Sequence, residues 1–217
     1  IAALSRFVRR REAACHHSEA VPQIGVIFSG HSIYSTAKKP FGSWGKQVDP
    51  ARGFIDALLD NQYSVDVIPD WKLEEAERYP LVVVPDWPDL GDDARRVLVG
   101  AAERGAALLV AGAENAKLFQ NELGIRLLDQ AKHESAFIAG KEVFANMSGL
   151  WQDVETAGAD TVATRFPTFD STKDGKIAAT LHSRGKGRIL GCYCDAGTVY
   201  AKTHSPEVRM FIGQLAE

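Results

Sequence analysis

Four short runs, QIGVIFS (23–29), YSVDVIP (63–69), LVVVPDW (81–87) and AALLVAG (106–112), are largely apolar and are separated by segments of helical character. A strand with one solvated face alternates apolar and polar side chains; runs like these must be covered on both faces. In DPARGFIDALLDNQ (49–62), Asp49 stands at the N-cap position, Pro50 suits the first turn, and Phe54, Ala57 and Leu58 form a stripe. KLEEAERY reads as a short helix. GDDARRVLVGAAERG has acids at its start and Gly105 at its end, where caps belong. ENAKLFQNELG reads as a helix closed by Gly124. Parallel neighbours need a crossover, and strand–helix alternation supplies it. Right-handed crossovers then predict an α/β fold with a doubly wound, mostly parallel, flavodoxin-like sheet.

From about residue 127 the texture changes. AFIAGKEVFANMSGLWQDVETAG (136–158) holds short strand-like pieces among polar residues, which predicts a β-rich insertion around 127–176. IAATLHS (177–183) and GRILGCYCD (187–195) flank the turn RGKG, a C-terminal hairpin signal. SPEVRMFIGQLAE closes the chain as a helix, with Ser205 as its cap and Pro206 at its first position. At the other end, residues 1–15 read as a helix with Leu4, Phe7 and Val8 on one side and Arg6, Arg9, Arg10 and Arg11 clustered. The chain starts IAALS, with no Met and no signal-peptide pattern. The expected organisation is a linker helix over 1–22, coming from an upstream domain, and one domain over 23–217.

A net charge of −3 over 217 residues argues against general nucleic-acid binding, which needs a surplus of Lys and Arg. No apolar run approaches the roughly 20 residues needed to span a bilayer. Cys192 and Cys194 fall on one face of a strand, too strained a pair for a disulfide and one residue short of usual zinc spacing. With Cys15 they read as free thiols, which fit a reducing compartment. No metal and no cofactor are expected.

The entry segment RRREAAC…VPQIGVIFS, the long run from FIDALLDNQYSVDVIPDW to AERGAALLVAG, and the late LHSRGKGRILGCYCDAGTVY together carry a resemblance. The chain resembles the class I glutamine-amidotransferase-like domain that follows the catalytic barrel in certain multidomain glycoside hydrolases. The kinds it looks most like are β-galactosidases of the trimerisation-domain type and related α-L-fucosidases. Its most specific pieces are Val82–Trp87 and the GKGR of 185–188. The resemblance implies a domain packed beside an upstream (β/α)8 barrel of the same parent chain. It also implies a homo-oligomer and no amidotransferase activity.

In active class I amidotransferases the turn after the strand comparable to AALLVAG carries a Cys between glycines. There the helix N-terminus favours thiolate and backbone amides form an oxyanion hole. Here the turn reads Gly112, Ala113, Glu114, Asn115, and the later loop reads Asp195 to Tyr200 without His–x–Glu. Both halves of the machinery depart, so no catalytic residue is expected. Loop 30–47 leaves the ligand-binding edge of the first strand and contains His31, Tyr34, Lys38, Lys39, Phe41 and Trp44. Aromatics among polar groups suit either a sugar face or a subunit interface. Asp86, Trp87, Glu114, Asp195 and Tyr200 complete the candidate substrate-binding or interface set, while Asp70 reads as a cap for the helix after it. Two alternatives stand beside the accessory domain: a stand-alone sugar-binding module, and a small hydrolase using Cys194 with His182, or Glu114.

Overall fold

The computed structural model describes residues 2–18, 21, 23–37 and 46–217. The first four predicted strands are present as β1 (Ile24–Phe28), β2 (Val65–Pro69), β3 (Leu81–Val84) and β4 (Ala107–Ala111). The later ones are β5 (Ile125–Leu127), β6 (Lys132–Ala139), β7 (Phe144–Trp151), β8 (Val154–Thr156), β9 (Asp160–Phe166), β10 (Lys176–Arg184) and β11 (Gly187–Cys192). The α-helices are α1 (Ala2–Cys15), α2 (Gly30–Thr36), α3 (Asp49–Asp60), α4 (Asp92–Arg104), α5 (Ala113–Leu118), α6 (Ala196–Thr203) and α7 (Pro206–Ala216). A 3-10 helix covers Asp70–Arg78. No helix among the described residues is long and apolar enough to cross a membrane.

Among the described residues nine strands form one sheet in the order β2-β1-β3-β4-β11-β10-β9-β6-β7, and β5 and β8 pair separately. The first four pairings are parallel. The next four are antiparallel. The sheet is therefore mixed, and the region expected to be an insertion supplies three strands that prolong it. The physical reason is visible in the burial pattern of β7: Ala145, Met147 and Trp151 alternate inward against α6 and α7 while their neighbours face out. The hairpin turn joins β10 and β11 through Gly185 and Lys186, with Arg184 opposite Gly187.

β1, β3 and β4 are buried almost throughout, as both-face coverage requires. α3, α6 and α7 pack together in one group, and α4 packs against the 3-10 helix. The α3–α6 crossing is close enough to need two glycines. A Cβ on Gly53 would lie 1.7 Å from the Gly197 carbonyl oxygen, and one on Gly197 would lie 2.1 Å from that of Pro50.

Several element ends differ from expectation. Val48, not Asp49, is the N-cap of α3; Asp49 lies inside the first turn, buried and ion-paired with Arg52 at 2.9 Å. α5 stops at Leu118 instead of reaching Gly124 because Phe119 and Leu123, both fully buried, are drawn into the core. Residues 30–36, expected as loop, form α2, capped by the Ser29 hydroxyl accepting from the Ser32 N–H. α1 forms as predicted, with no buried side chain among its residues.

Candidate functional site at the carboxyl edge

The parallel strands β2, β1, β3, β4 and β11 end on one edge, followed there by Asp70, Ser29, Asp86, Gly112 and Asp195. The strand order reverses between β1 and β3, the switch point at which open α/β sheets accept ligands. Here Trp87 fills that crevice. Its side chain is 2 % exposed, its indole N–H donates to the Ile27 carbonyl at 3.1 Å, and its ring meets Phe28 edge-on at 5.7 Å.

Beside it, Asp86 turns towards the next strand. One carboxylate oxygen accepts from the backbone N–H groups of Glu114 at 3.1 Å and Asn115 at 3.4 Å. It thereby caps α5, whose own N-cap residue, Gly112, has no side chain to offer. Gly112 has φ +92°, and a Cβ there would fall 1.9 Å from the Asp86 carboxyl carbon. The turn that would present a nucleophile is thus closed over by a carboxylate from the adjacent strand. Asn115, fully buried, braces the same junction, its amide donating to the carbonyls of Pro85 at 2.6 Å, Ala111 at 3.0 Å and Val84 at 3.2 Å. Sequence reading passed over Asn115; its place in the third helical position of a Gly-led turn was the available signal.

Burial outweighs those two amide bonds and lifts Asp86 from its ordinary 3.8 to about 7, with the Asp195 and Glu114 carboxylates adding to the rise. Asp195 is raised as well, first by burial, although it accepts from the Leu150 N–H at 2.7 Å. Glu114 is exposed and ion-paired with Lys117 at 2.7 Å. Of the three acids expected at one edge, Asp195 and Glu114 are therefore both close enough to act on Asp86, which holds a proton near neutrality.

The thiol alternative fares differently. Cys192 and Cys194 share a face, as expected, with their sulfurs 3.7 Å apart and unbonded. Both are fully buried, and burial pushes the Cys194 thiol well above its ordinary value, the opposite of an activated nucleophile. His182 pairs across the hairpin with Ile189, three residues before Cys192, which separates it from the thiols by about 10 Å or more along the strand. Its Nδ1 lies 2.8 Å from the Glu122 carbonyl. These groups do not form a dyad.

Asp70 caps a helix, but the one after the neighbouring strand. Its Oδ2 accepts from the His31 N–H at 2.7 Å and the Ser29 hydroxyl at 3.1 Å, holding the start of α2. His31 Nε2 lies 3.2 Å from Asp89, and Tyr34 is 84 % exposed on α2. Phe41 and Trp44, with Lys38 and Lys39, lie outside the described residues. Tyr200 belongs elsewhere: buried in α6, it donates to Asp60 at 2.6 Å across the contact with α3. Next to α2 a groove of about 560 Å³ runs between the 3-10 helix and α4, with Trp71, His31 and Asp70 on its wall. Among the described residues no group of three or more His, Cys, Asp or Glu is placed to hold a metal ion.

No family model matches this chain, and no curated protein matches it significantly. Solved structures do. The α-L-fucosidase isoenzyme 2 from Paenibacillus thiaminolyticus aligns with TM-score 0.70 at 14 % identity, covering 97 % of this chain and 34 % of that one. The exo-β-1,4-mannosidase Op5Man5 from Opitutaceae bacterium strain TAV5 gives 0.69 at 14 %, covering 98 % and 38 %. A β-galactosidase from Rahnella sp. R3 gives 0.67 at 18 %, covering 92 % and 33 %. The likeness is one of fold, and the chain spans about a third of the length of each of these structures.

Proposed function

We propose that this chain is a non-catalytic accessory domain of a carbohydrate-active enzyme, built on a glutamine-amidotransferase-like scaffold of flavodoxin type. Its parent is a glycoside hydrolase of β-galactosidase or α-L-fucosidase kind. The upstream partner is a (β/α)8 barrel of the same parent, reached through α1, and the assembly is a homo-oligomer. One observation carries the reading. The helix start after β4, where an amidotransferase scaffold needs its thiolate, has the N–H groups of Glu114 and Asn115 engaged by Asp86. An oxyanion would have to displace that carboxylate, and no Ser or Cys stands in the turn to generate one. The parallel strand order β2-β1-β3-β4-β11 supports the flavodoxin-type scaffold. That the fold neighbours act on glycosides, and that this chain matches about a third of each, supports the accessory assignment.

The test is an assay of the isolated chain on aryl β-galactosides and aryl α-L-fucosides, together with sedimentation velocity. The expected outcome is no turnover and a sedimentation coefficient above that of a 23.6 kDa monomer. Turnover that survives purification to homogeneity would overturn the non-catalytic assignment.

A further inference from the structure

We infer that the groove beside Trp71 is a binding subsite for a neutral pyranose, a proposal that rests on the carbohydrate reading above and assigns it a place. The groove lies at the carboxyl edge next to the filled switch point, between the 3-10 helix and α4. Trp71 is 71 % exposed although it stands at the mouth of a concave surface, where an apolar ring of this size normally finds cover. Its ring lies beside the start of α2: a Cβ on Gly30 would stand 3.8 Å from the indole Cζ3, an ordinary van der Waals separation. The floor is apolar, formed by Leu73, Leu90 and Ala94.

The polar groups around this floor are nearly all acceptors. Asp70 spends Oδ2 on Ser29 and His31, and its Oδ1 takes no hydrogen bond among the described residues. Glu74 is exposed and makes no ion pair among them. Asp92 and Asp93 line the far side, each paired with an Arg of its own helix. His31, 3.2 Å from Asp89, lines the same wall. Among the described residues no Lys or Arg lines the groove.

Those features select a ligand. Asp70 and Glu74, with no cationic partner among the described residues, disfavour anions by like-charge repulsion, so the groove selects against phosphosugars and uronates. A ligand that fits must offer several donors on its rim and an apolar face for the indole. A pyranose does both, because its hydroxyls radiate from the ring edge while its axial C–H groups form a flat patch. Ligand sites in general combine such an apolar surface with a few placed polar groups. An organic cation offers charge for the carboxylates and the ring, and it is the competitor that the experiment must separate.

The experiment is a titration of the whole chain, followed by NMR, with methyl β-galactopyranoside, methyl α-L-fucopyranoside and methyl α-mannopyranoside. Sodium glucuronate and choline serve as the charged probes. The expected result is saturable millimolar binding of at least one neutral glycoside. Trp71→Ala should weaken it at least about tenfold, equivalent to about 1.4 kcal/mol. Trp71→Phe should retain most of the affinity and Glu74→Gln should lose part of it. Both positions are exposed, so the variants keep the wild-type circular dichroism. Absence of neutral-glycoside binding, equal affinity in Trp71→Ala, or tighter binding of choline or glucuronate would each overturn the proposal. Because none of these readouts involves turnover or self-association, failure here leaves the accessory-domain reading standing, and failure of that reading leaves this result interpretable.

Discussion

Asp86 and Asp70 follow the same rule at the residue scale. Each stands at the end of one strand and caps the helix that leaves the strand beside it, α5 for Asp86 and α2 for Asp70. Neighbouring strands lie about 4.8 Å apart, so a short carboxylate at one strand end reaches the free N–H groups of the adjoining helix. A cap of this kind is worth about 1 kcal/mol. For Asp86 the cap is set in a site that raises its pKa from 3.8 to about 7. The sign of the pH effect follows. Between these values the unfolded chain has released the proton and the folded chain retains it, so stability falls as pH rises from about 4 to about 7 and is then level. The slope contributed is at most about 1.4 kcal/mol per pH unit. Denaturant melts from pH 4 to 8 should show this decline in the wild type, and Asp86→Asn should flatten it. A decline of undiminished slope in the variant would assign the effect to other groups, Asp195 first among them, since its pKa moves in the same direction. Gly112→Ala meets both a positive φ and the Asp86 carboxyl, and should cost several kcal/mol, read as a lowered midpoint at unchanged m-value.

Among the elements, the α3–α6 crossing is the tightest contact that depends on specific residues. Gly53 and Gly197 let two helix backbones approach to a distance that admits no Cβ on either side. Gly53→Ala or Gly197→Ala must separate the helices and disturb the buried Phe54 and the Tyr200–Asp60 bond lying between them. The expected loss is about 1–3 kcal/mol, a Tm drop of about 3–10 °C for a chain of this size. Ala201→Gly in the same helix loses a buried methyl and helix propensity, about 1–2 kcal/mol, without introducing a clash, and serves as the control. A glycine inside a helix costs about 1 kcal/mol in propensity, and nothing local to residues 49–62 offsets that for Gly53. Only its partner, far along the chain, gives it a purpose.

Over the whole molecule, four parallel pairings run directly into four antiparallel ones, and the buried thiols sit near that junction in β11 and the residues after it. Cys15 is exposed, while Cys192 and Cys194 are fully buried, Cys194 Sγ lying 3.9 Å from Met147 Sδ on β7. A thiol reagent should therefore titrate one cysteine in native protein and all three in denaturant. The rate for the two buried thiols should report global unfolding. Rapid native labelling of a second thiol would show that the β11–α6 region opens independently of the rest.

Legibility from sequence divides along a physical line. Composition of the apolar runs, 3.6-residue stripes and Gly or Pro at element ends are local properties, and they determined β1 to β4, the hairpin, α3, α4 and α7, with the both-face burial of the central strands. The three acids were correctly expected on one edge because strand ends in a parallel sheet share a direction. What tertiary structure alone decided is how those ends are used. Whether Asp86 caps its own helix or a neighbour's, whether Trp87 opens or fills the switch-point crevice, and whether Tyr200 faces a ligand or α3 depend on which strand lies next to which. The same holds for strands β6, β7 and β9, whose alternation says that they have one buried face but not that this face continues the main sheet. Local chemistry chooses the elements; strand order, fixed by burying all their apolar faces at once, chooses the neighbours, and here the neighbours make the site.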